Sequence, residues 1–361
     1  MPDQETPVIS VQDAALDELC AKLAQGAARA DSSATWPAEQ MDLCARFGVF
    51  RWFLPRQYGG LGWSEPELLE GYYRLGAACQ TTTFILTQLT GAARRIAASQ
   101  NEPLKQQLLP PMARGEQLAT LGISHLTTSR RHWQRPPMLA TETPEGFLLQ
   151  GISPWVTGAV ASRYVVLGAE TEDRRQLLLV LPLELPGVEV KPPLELVALS
   201  GSCTGAVECH QVEVPRQWLL AGPEPELMRR GGGGATGGLQ TSTLALALAR
   251  AAVEYLHQQA QRRPELAPVA SRFQEELELR YQELMELARG NSPCTKEQLR
   301  QGANSLVLRA TQAALGAAKG TGFVRGHAAG RWATEALFYL VWSCPQAVMQ
   351  ANLCQLAGLE E

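Results

Sequence analysis

The first third of the chain places apolar residues three or four positions apart, which is the spacing of one face of a helix. Ser64 and Glu67 form the pattern of a capping box, in which each side chain satisfies a backbone N–H at the start of a helix. The chain up to residue 116 is therefore predicted to be an N-terminal helical domain, with helices over 13–30, 38–47, 67–79, 81–99 and 103–116.

From residue 117 the helical spacing gives way to short apolar or alternating runs, which are typical of strands. Turn sequences such as TPEG and ELPG separate these runs. The pattern predicts a small β domain over 117–222, with strands within 117–126, 138–151, 163–169, 176–182, 187–192 and 205–215.

A glycine tract at 231–238 comes before a return to helical spacing, and it is interpreted as a flexible connector. The helical segments that follow are long, amphipathic and rich in small residues, which favours a packed bundle; they cover 239–261, 264–290 and 295–320. The predicted fold is therefore α+β, with an N-terminal helical domain (1–116), a central small β domain (117–222) and a C-terminal four-helix-type bundle (239–361).

Near the C-terminus the sequence VWSCPQ at 341–346 separates two runs of helical spacing. Pro345 lacks a backbone N–H and disfavours the helical conformation at Cys344, so the first helix is predicted to end before it. The resulting corner should expose Trp342, Ser343 and Cys344 between two helices.

Composition excludes several classes of protein. The 361 residues carry a formal net charge of -4, whereas a nucleic-acid-binding surface is normally basic. No apolar run is long enough to span a bilayer, and the first residues do not resemble a signal peptide. The eight cysteines contain no CxxC pair, which favours a reduced, cytoplasmic protein. Cys203, Cys209 and His210 lack the compact spacing of zinc ligands, so no metal site is predicted.

A few side chains are candidates for chemistry. Trp155 and Thr157 are two positions apart, so on a strand they would share a face, where an indole and a hydroxyl suit a planar aromatic ligand. Core packing is the alternative. His125 and His327 have no Ser or Asp partner nearby in sequence, so a catalytic triad is not supported.

Five segments, taken in order, resemble the acyl-CoA dehydrogenase superfamily of flavoproteins. Residues 47–62 are similar to its PxxYGGLG segment, and residues 99–116 to the helix that ends LPxLAxGE. The other three are similar to its NGxKxWITNA, RGSxT and GGxGY segments, at 146–169, 196–220 and 316–338. The resemblance covers nearly the full length and implies the three-part fold described above.

The resemblance also implies FAD, held between the β domain and the bundle. Trp155, Thr157 and Ser124 then correspond to flavin contacts, and Trp342 lies close to the flavin and substrate. Ser343 stands where many members carry the glutamate that removes the substrate α-proton. A hydroxyl without a partner is too weak a base for that step.

Other departures from the family pattern follow. Residues 237–249 carry no acid, residues 257–267 replace the segment that reaches FAD of a neighbouring subunit, and Lys319 replaces a glycine. Residues 127–133 replace another family segment. His125, His327 and Glu335 are candidate replacement bases, although Glu335 follows Arg331 by four and suits a helix-face ion pair.

Three functions stay open at this point. The first is an FAD-dependent oxidoreductase acting on a CH–CH group of an acyl thioester or related small molecule, with an altered active site. The second is a monooxygenase-like member that uses diffusible reduced flavin. The third is a non-catalytic binding or assembly protein on the same fold. A homo-oligomer, dimer or tetramer, is expected because the small-residue-rich bundle helices carry broad apolar surfaces, and no nucleic-acid or membrane partner is expected.

Overall fold

The computed structural model describes residues 5–32, 34–127, 135–230 and 238–359. Most of the glycine tract and of the segment 127–133 lies outside these ranges. The N-terminal part contains α1 (Ala14–Ser32), α2 (Ala38–Arg46), α3 (Glu65–Ala78), α4 (Gln80–Ala98) and α5 (Glu102–Ala113). The capping box at the start of α3 is confirmed, since the Ser64 N–H donates to the Glu67 carboxylate over 2.7 Å.

The central part is one mixed eight-stranded sheet. Its strands are β1 (Ala119–Gly122), β2 (Met138–Glu142), β3 (Gly146–Val156), β4 (Tyr164–Glu170), β5 (Gln176–Pro182), β6 (Val188–Val190), β7 (Gly205–Pro215) and β8 (Leu219–Glu224). They lie in the order β6-β7-β3-β2-β4-β5-β8, and β1 pairs in parallel with β4. The short helices α6 (Ser124–Thr127) and α7 (Leu227–Arg230) follow β1 and β8.

The C-terminal part is again helical, with α8 (Leu239–Ala260), α9 (Ala267–Ala288), α10 (Lys296–Gly322), α11 (Ala328–Leu337) and α12 (Gln346–Leu356). The predicted order of helices, strands and helices in an α+β fold is therefore confirmed. The division into three domains at 116 and at 222–239 stays a prediction. Among the described residues, no helix is long and apolar enough to cross a membrane.

The two helical parts share one hydrophobic core, which includes buried residues of α1, α3, α4, α8, α9 and α10. A methyl group added at Gly76 of α3 would lie 2.8 Å from the Ala247 Cβ of α8, so these two helices approach closely through small residues. The abundance of small residues in α8 therefore serves packing between the first and last thirds of the chain. The sheet has a second core of its own, between its strands and loops.

Candidate functional site

The corner predicted at 341–346 is confirmed. Helix α11 ends at Leu337, a 3-10 turn covers Phe338–Leu340, and α12 begins at Gln346 directly after Pro345. The N–H groups of Val341 and Trp342 both donate to the Phe338 carbonyl. Ser343 then adopts the left-handed conformation with φ of 46°, which commonly ends a helix. The side chains of residues 342–344 are half-buried rather than fully exposed.

Three aromatic rings, those of Phe84, Phe338 and Trp342, pack together at the corner. The Trp342 indole stacks on the Phe338 ring at 5.1 Å between centroids, with 13° between the ring planes. Phe84 of α4 meets both rings edge-on, at 5.0 Å and 5.1 Å. These arrangements are the ones that aromatic quadrupoles favour. The neighbourhood of Ser343 is therefore an apolar wall built from two distant parts of the chain.

Helix α10 ties the corner to the bundle through two buried polar residues. The Arg300 Nη2 donates to the Trp342 carbonyl over 3.1 Å, and the Asn304 Nδ2 donates to the Tyr339 carbonyl over 3.1 Å. Carbonyls at a helix end lack partners within the helix, so these two side chains supply them. A cation at this negative end of the helix is also electrostatically favourable.

Arg300 is only 3% exposed, and burial lowers the pKa of its guanidinium to about 10. Its Nε and Nη1 have no hydrogen-bond partner among the described residues. Sequence reasoning missed Arg300 and Asn304. The sequence did contain an indication that both are buried, because they lie on the same side of α10 as the apolar residues Leu299 and Ala303.

Glu335 provides the carboxylate nearest in sequence to the corner on its N-terminal side. It is 2% exposed, and its carboxyl oxygen lies 3.6 Å from the Arg331 Nε, so the helix-face pairing geometry expected from sequence is present. Burial raises the pKa of Glu335 to about 8, against the opposing attraction of Arg331. The Asp31 carboxylate, which accepts the Leu199 N–H, adds to the rise in this pKa.

The two predicted histidines have structural partners. His125 is buried in α6, with Nε2 at 2.7 Å from the Gly168 carbonyl and Nδ1 at 3.4 Å from the Ser153 hydroxyl. His327 caps α11, because its Nδ1 accepts the Ala329 N–H over 3.2 Å. His327 therefore stands at the start of α11. Their catalytic roles stay predictions.

Trp155 and Thr157 differ sharply in exposure, so the expectation of a shared face is wrong. Trp155 is 58% exposed and Thr157 is 2% exposed. The cause is local, since the pairing of β3 with β7 shifts register between Ser153 and Val156 and Trp155 has φ of 59°. The strict alternation of a strand is lost where a bulge occurs.

The hydroxyls near Trp155 are engaged inside the protein. The Thr157 hydroxyl lies 2.8 Å from that of Thr204, which in turn lies 2.9 Å from that of Ser202. Ser124 donates to the Pro154 carbonyl over 2.7 Å, which places it beside Trp155. Ser124, Trp155 and Thr157 therefore lie near one end of β3, while Trp342 and Ser343 belong to the helical corner. Their contacts with a flavin stay predictions.

Comparisons with known proteins agree with this fold. Residues 9–116 match the family model "Acyl-CoA dehydrogenase, N-terminal domain". The chain is 23% identical over 340 residues to the probable acyl-CoA dehydrogenase YngJ of Bacillus subtilis, covering 87% of this chain and 88% of that relative. Three further curated acyl-CoA dehydrogenases are matched over only 28%, 29% and 30% of their own length.

Solved structures show the same architecture. Butyryl-CoA dehydrogenase of Megasphaera elsdenii superposes with a TM-score of 0.79 at 17% identity, covering 95% of this chain and 97% of that chain. Dibenzothiophene monooxygenase of Paenibacillus sp. A11-2 superposes with a TM-score of 0.75 at 18% identity, covering 96% of each. At this identity the structural likeness establishes the fold alone. Together, the family-model match over residues 9–116, the nearly full-length relative and the shared fold support membership of the acyl-CoA dehydrogenase superfamily.

Proposed function

We propose that the protein is a flavin-dependent oxidoreductase that acts on the CH–CH group of an acyl thioester or a related small molecule, with an altered active site. The observation that carries this proposal is the Trp155 indole, which is 58% exposed at the end of β3 in a superfamily member. A large exposed indole suits stacking against a planar ring system. FAD is the cofactor proposed for this place.

Trp155 is the residue that would contact the flavin directly, and the hydroxyls of Ser124 and Thr157 would hold the end of β3 in position. Trp155 would offer its ring face, and the adjacent Ser124 hydroxyl fixes the strand end through its bond to the Pro154 carbonyl. The buried Thr157 hydroxyl would hold the strand in place through Thr204. When bound, the flavin would supply the hydride acceptor for oxidation of a saturated carbon–carbon bond.

The site lacks an effective base at the position expected to remove the substrate proton. The Ser343 hydroxyl replaces the carboxylate that the family resemblance implies, and a hydroxyl alone is a poor base. Both ring nitrogens of His125 lie close to protein oxygen atoms, and Nδ1 of His327 accepts a backbone N–H. We therefore expect slow proton abstraction from ordinary saturated acyl-CoAs.

A flavin titration tests the cofactor. Adding FAD to the purified protein should shift and sharpen the flavin absorption bands. Trp155→Ala should weaken binding by about tenfold, because one stacking contact is lost, whereas Trp155→Phe should keep most of the affinity. Absence of binding at high-micromolar FAD would reject the proposal.

Anaerobic flavin bleaching by acyl-CoAs tests the chemistry. The unmodified protein should bleach slowly, and Ser343→Glu should accelerate bleaching, since general-base assistance contributes about 100- to 10,000-fold. Ser343→Gln is the matched control, because it has a similar size and faces the same backbone strain without a base. Fast bleaching by the unmodified protein would point to another base, and His125→Ala and His327→Ala would then be compared.

A non-catalytic binding or assembly role is the second candidate. It is favoured by the serine at the corner together with the inward engagement of the Thr157 hydroxyl. This role predicts neither FAD binding nor flavin reduction, with the fold intact by circular dichroism. Dependence on oxygen and on a separate flavin reductase would instead indicate the monooxygenase-like chemistry.

We also propose that the protein forms a homo-oligomer in the cytoplasm. On α12, Met349, Leu353 and Leu356 follow one another at helical spacing and are 44%, 58% and 61% exposed. Such a stripe suits burial against another copy of the chain. Sedimentation that gives a strict monomer at micromolar concentration would contradict this.

A further inference from the structure

The outer face of the sheet carries a cluster of polar side chains at its edge, formed by Glu189, Glu208 and His210. Glu189 of the edge strand β6 lies directly opposite Glu208 of β7 in the antiparallel register. His210 is two residues beyond Glu208, so both side chains lie on the same face of β7. Cys209 between them is fully buried on the opposite face.

The donor atoms of this cluster are close to one another. The His210 Nε2 lies 3.3 Å from a Glu208 carboxylate oxygen and 3.8 Å from a Glu189 carboxylate oxygen. One atom from each of the three residues lies within 4.8 Å of the other two. In a tetrahedral zinc site with bonds of about 2.0–2.2 Å, neighbouring ligand atoms are separated by about 3.3–3.6 Å. The three donors therefore need only small side-chain movements to surround one ion.

The two carboxylates on this face carry more negative charge than Lys191 neutralises, so a second cation would be attracted there. Two carboxylates directly opposite each other on paired strands repel, and Lys191 offsets part of this repulsion. Its Nζ lies 2.9 Å from a Glu189 oxygen and 3.6 Å from a Glu208 oxygen. One ammonium against two carboxylates leaves a net negative charge, and the Lys191 side chain is 36% exposed and able to move into solvent.

We propose that Glu189, Glu208 and His210 form a zinc-binding site on the outer face of the sheet, with a water molecule in the fourth position. One imidazole and two carboxylates suit Zn²⁺ better than Mg²⁺ or Ca²⁺, which prefer oxygen ligands alone. Lys191 is a competitor for the two carboxylates and is displaced when the ion binds. The sequence pattern could not indicate this set, because Glu189 comes from a separate strand.

The ion has a mechanical consequence for the sheet. Strand β6 has only three residues, Val188–Val190, and it forms the edge next to β7. A bond from Glu189 to an ion that is also held by β7 adds a connection beside the backbone ladder. Zinc should therefore slow amide exchange in β6 while leaving the strands on the far side of the sheet unchanged.

Isothermal titration of tag-free, chelator-treated protein with ZnCl₂ tests the proposal. One zinc per chain is expected. His210→Ala and Glu208→Gln should each weaken binding by at least about tenfold, since loss of even an outer-shell partner has effects of this size. His257→Ala, at an exposed histidine of α8, is the matched control and should bind as the unmodified protein does.

Lys191→Met supplies an independent arm. Removal of the competing ammonium should increase zinc affinity, whereas a purely structural salt-bridge cluster would show no such gain. The proposal is overturned if no saturable binding occurs up to about 1 mM zinc, or if His210→Ala binds zinc as tightly as the unmodified protein. All the altered side chains are partly or fully exposed, and circular dichroism would verify that each variant is folded.

Discussion

Lys319 occupies a backbone conformation that glycine tolerates far better. It has φ of 56° and ψ of -152° near the end of α10, where the helix is kinked. This region of backbone space is essentially restricted to glycine, and a residue with a Cβ held there costs of order 1–3 kcal/mol. The family resemblance places a glycine at the same position. Replacement of Lys319 by glycine should therefore stabilise the protein.

The size of the gain follows from two opposing terms. Lys319→Gly removes the strain of about 1–3 kcal/mol but increases the entropy of the unfolded chain by about 0.5–1 kcal/mol. Lys319 is exposed, so little packing is lost with its side chain. The midpoints of these two ranges give a net increase of about 1 kcal/mol in the free energy of unfolding.

Thermal unfolding of three variants in one buffer tests this reasoning. Lys319→Gly should raise the melting temperature by a few degrees, because about 1 kcal/mol moves a large domain by about 2–4 °C. Lys319→Ala keeps the Cβ and the strain, so its melting temperature should barely change. Gln312→Gly lies within the regular part of α10 and should cost about 1 kcal/mol. If Lys319→Gly melts no higher than Lys319→Ala, the strain argument is refuted.

Three further predictions concern other parts of the molecule. The pKa of Glu335 is about 8 in the folded protein, against an ordinary value of 4.5. Between these pH values the folded state holds a proton that the unfolded state releases, so the free energy of unfolding should fall as the pH rises from about 4.5 to about 8. Glu335→Gln should flatten this decline, as measured by urea titrations at several pH values. Gly60→Ala should cost about 2 kcal/mol or more, because the new Cβ would lie 1.9 Å from the Leu54 carbonyl oxygen, and an unchanged urea midpoint would contradict the close approach. Thr157→Val should lower the free energy of unfolding by about 1–3 kcal/mol, since it removes the partner of a buried hydroxyl, with Thr157→Ser as the control; a loss of FAD affinity without a loss of stability would instead indicate direct flavin contact.

The sequence by itself determined the features that depend on local chemistry. The capping box at Ser64 and Glu67 marks where α3 begins, because both partners lie within one turn of each other. Pro345 marks the corner before α12, because the missing N–H and the ring act on adjacent residues. The order of helices, strands and helices follows from hydrophobic spacing in the same way, and the five family-like segments indicated the superfamily that the comparisons support.

The tertiary structure alone decided which side chains meet. Strand alternation predicted that Trp155 and Thr157 share a face, but a register shift against β7 exposes one and buries the other. Bulges depend on the partner strand, so a single strand's sequence does not reveal them. In the same way, Arg300 reaches the Trp342 carbonyl and Glu189 reaches His210 only because packing and strand register bring distant segments together. These contacts depend on positions in three dimensions that hydrophobic spacing along the chain does not specify.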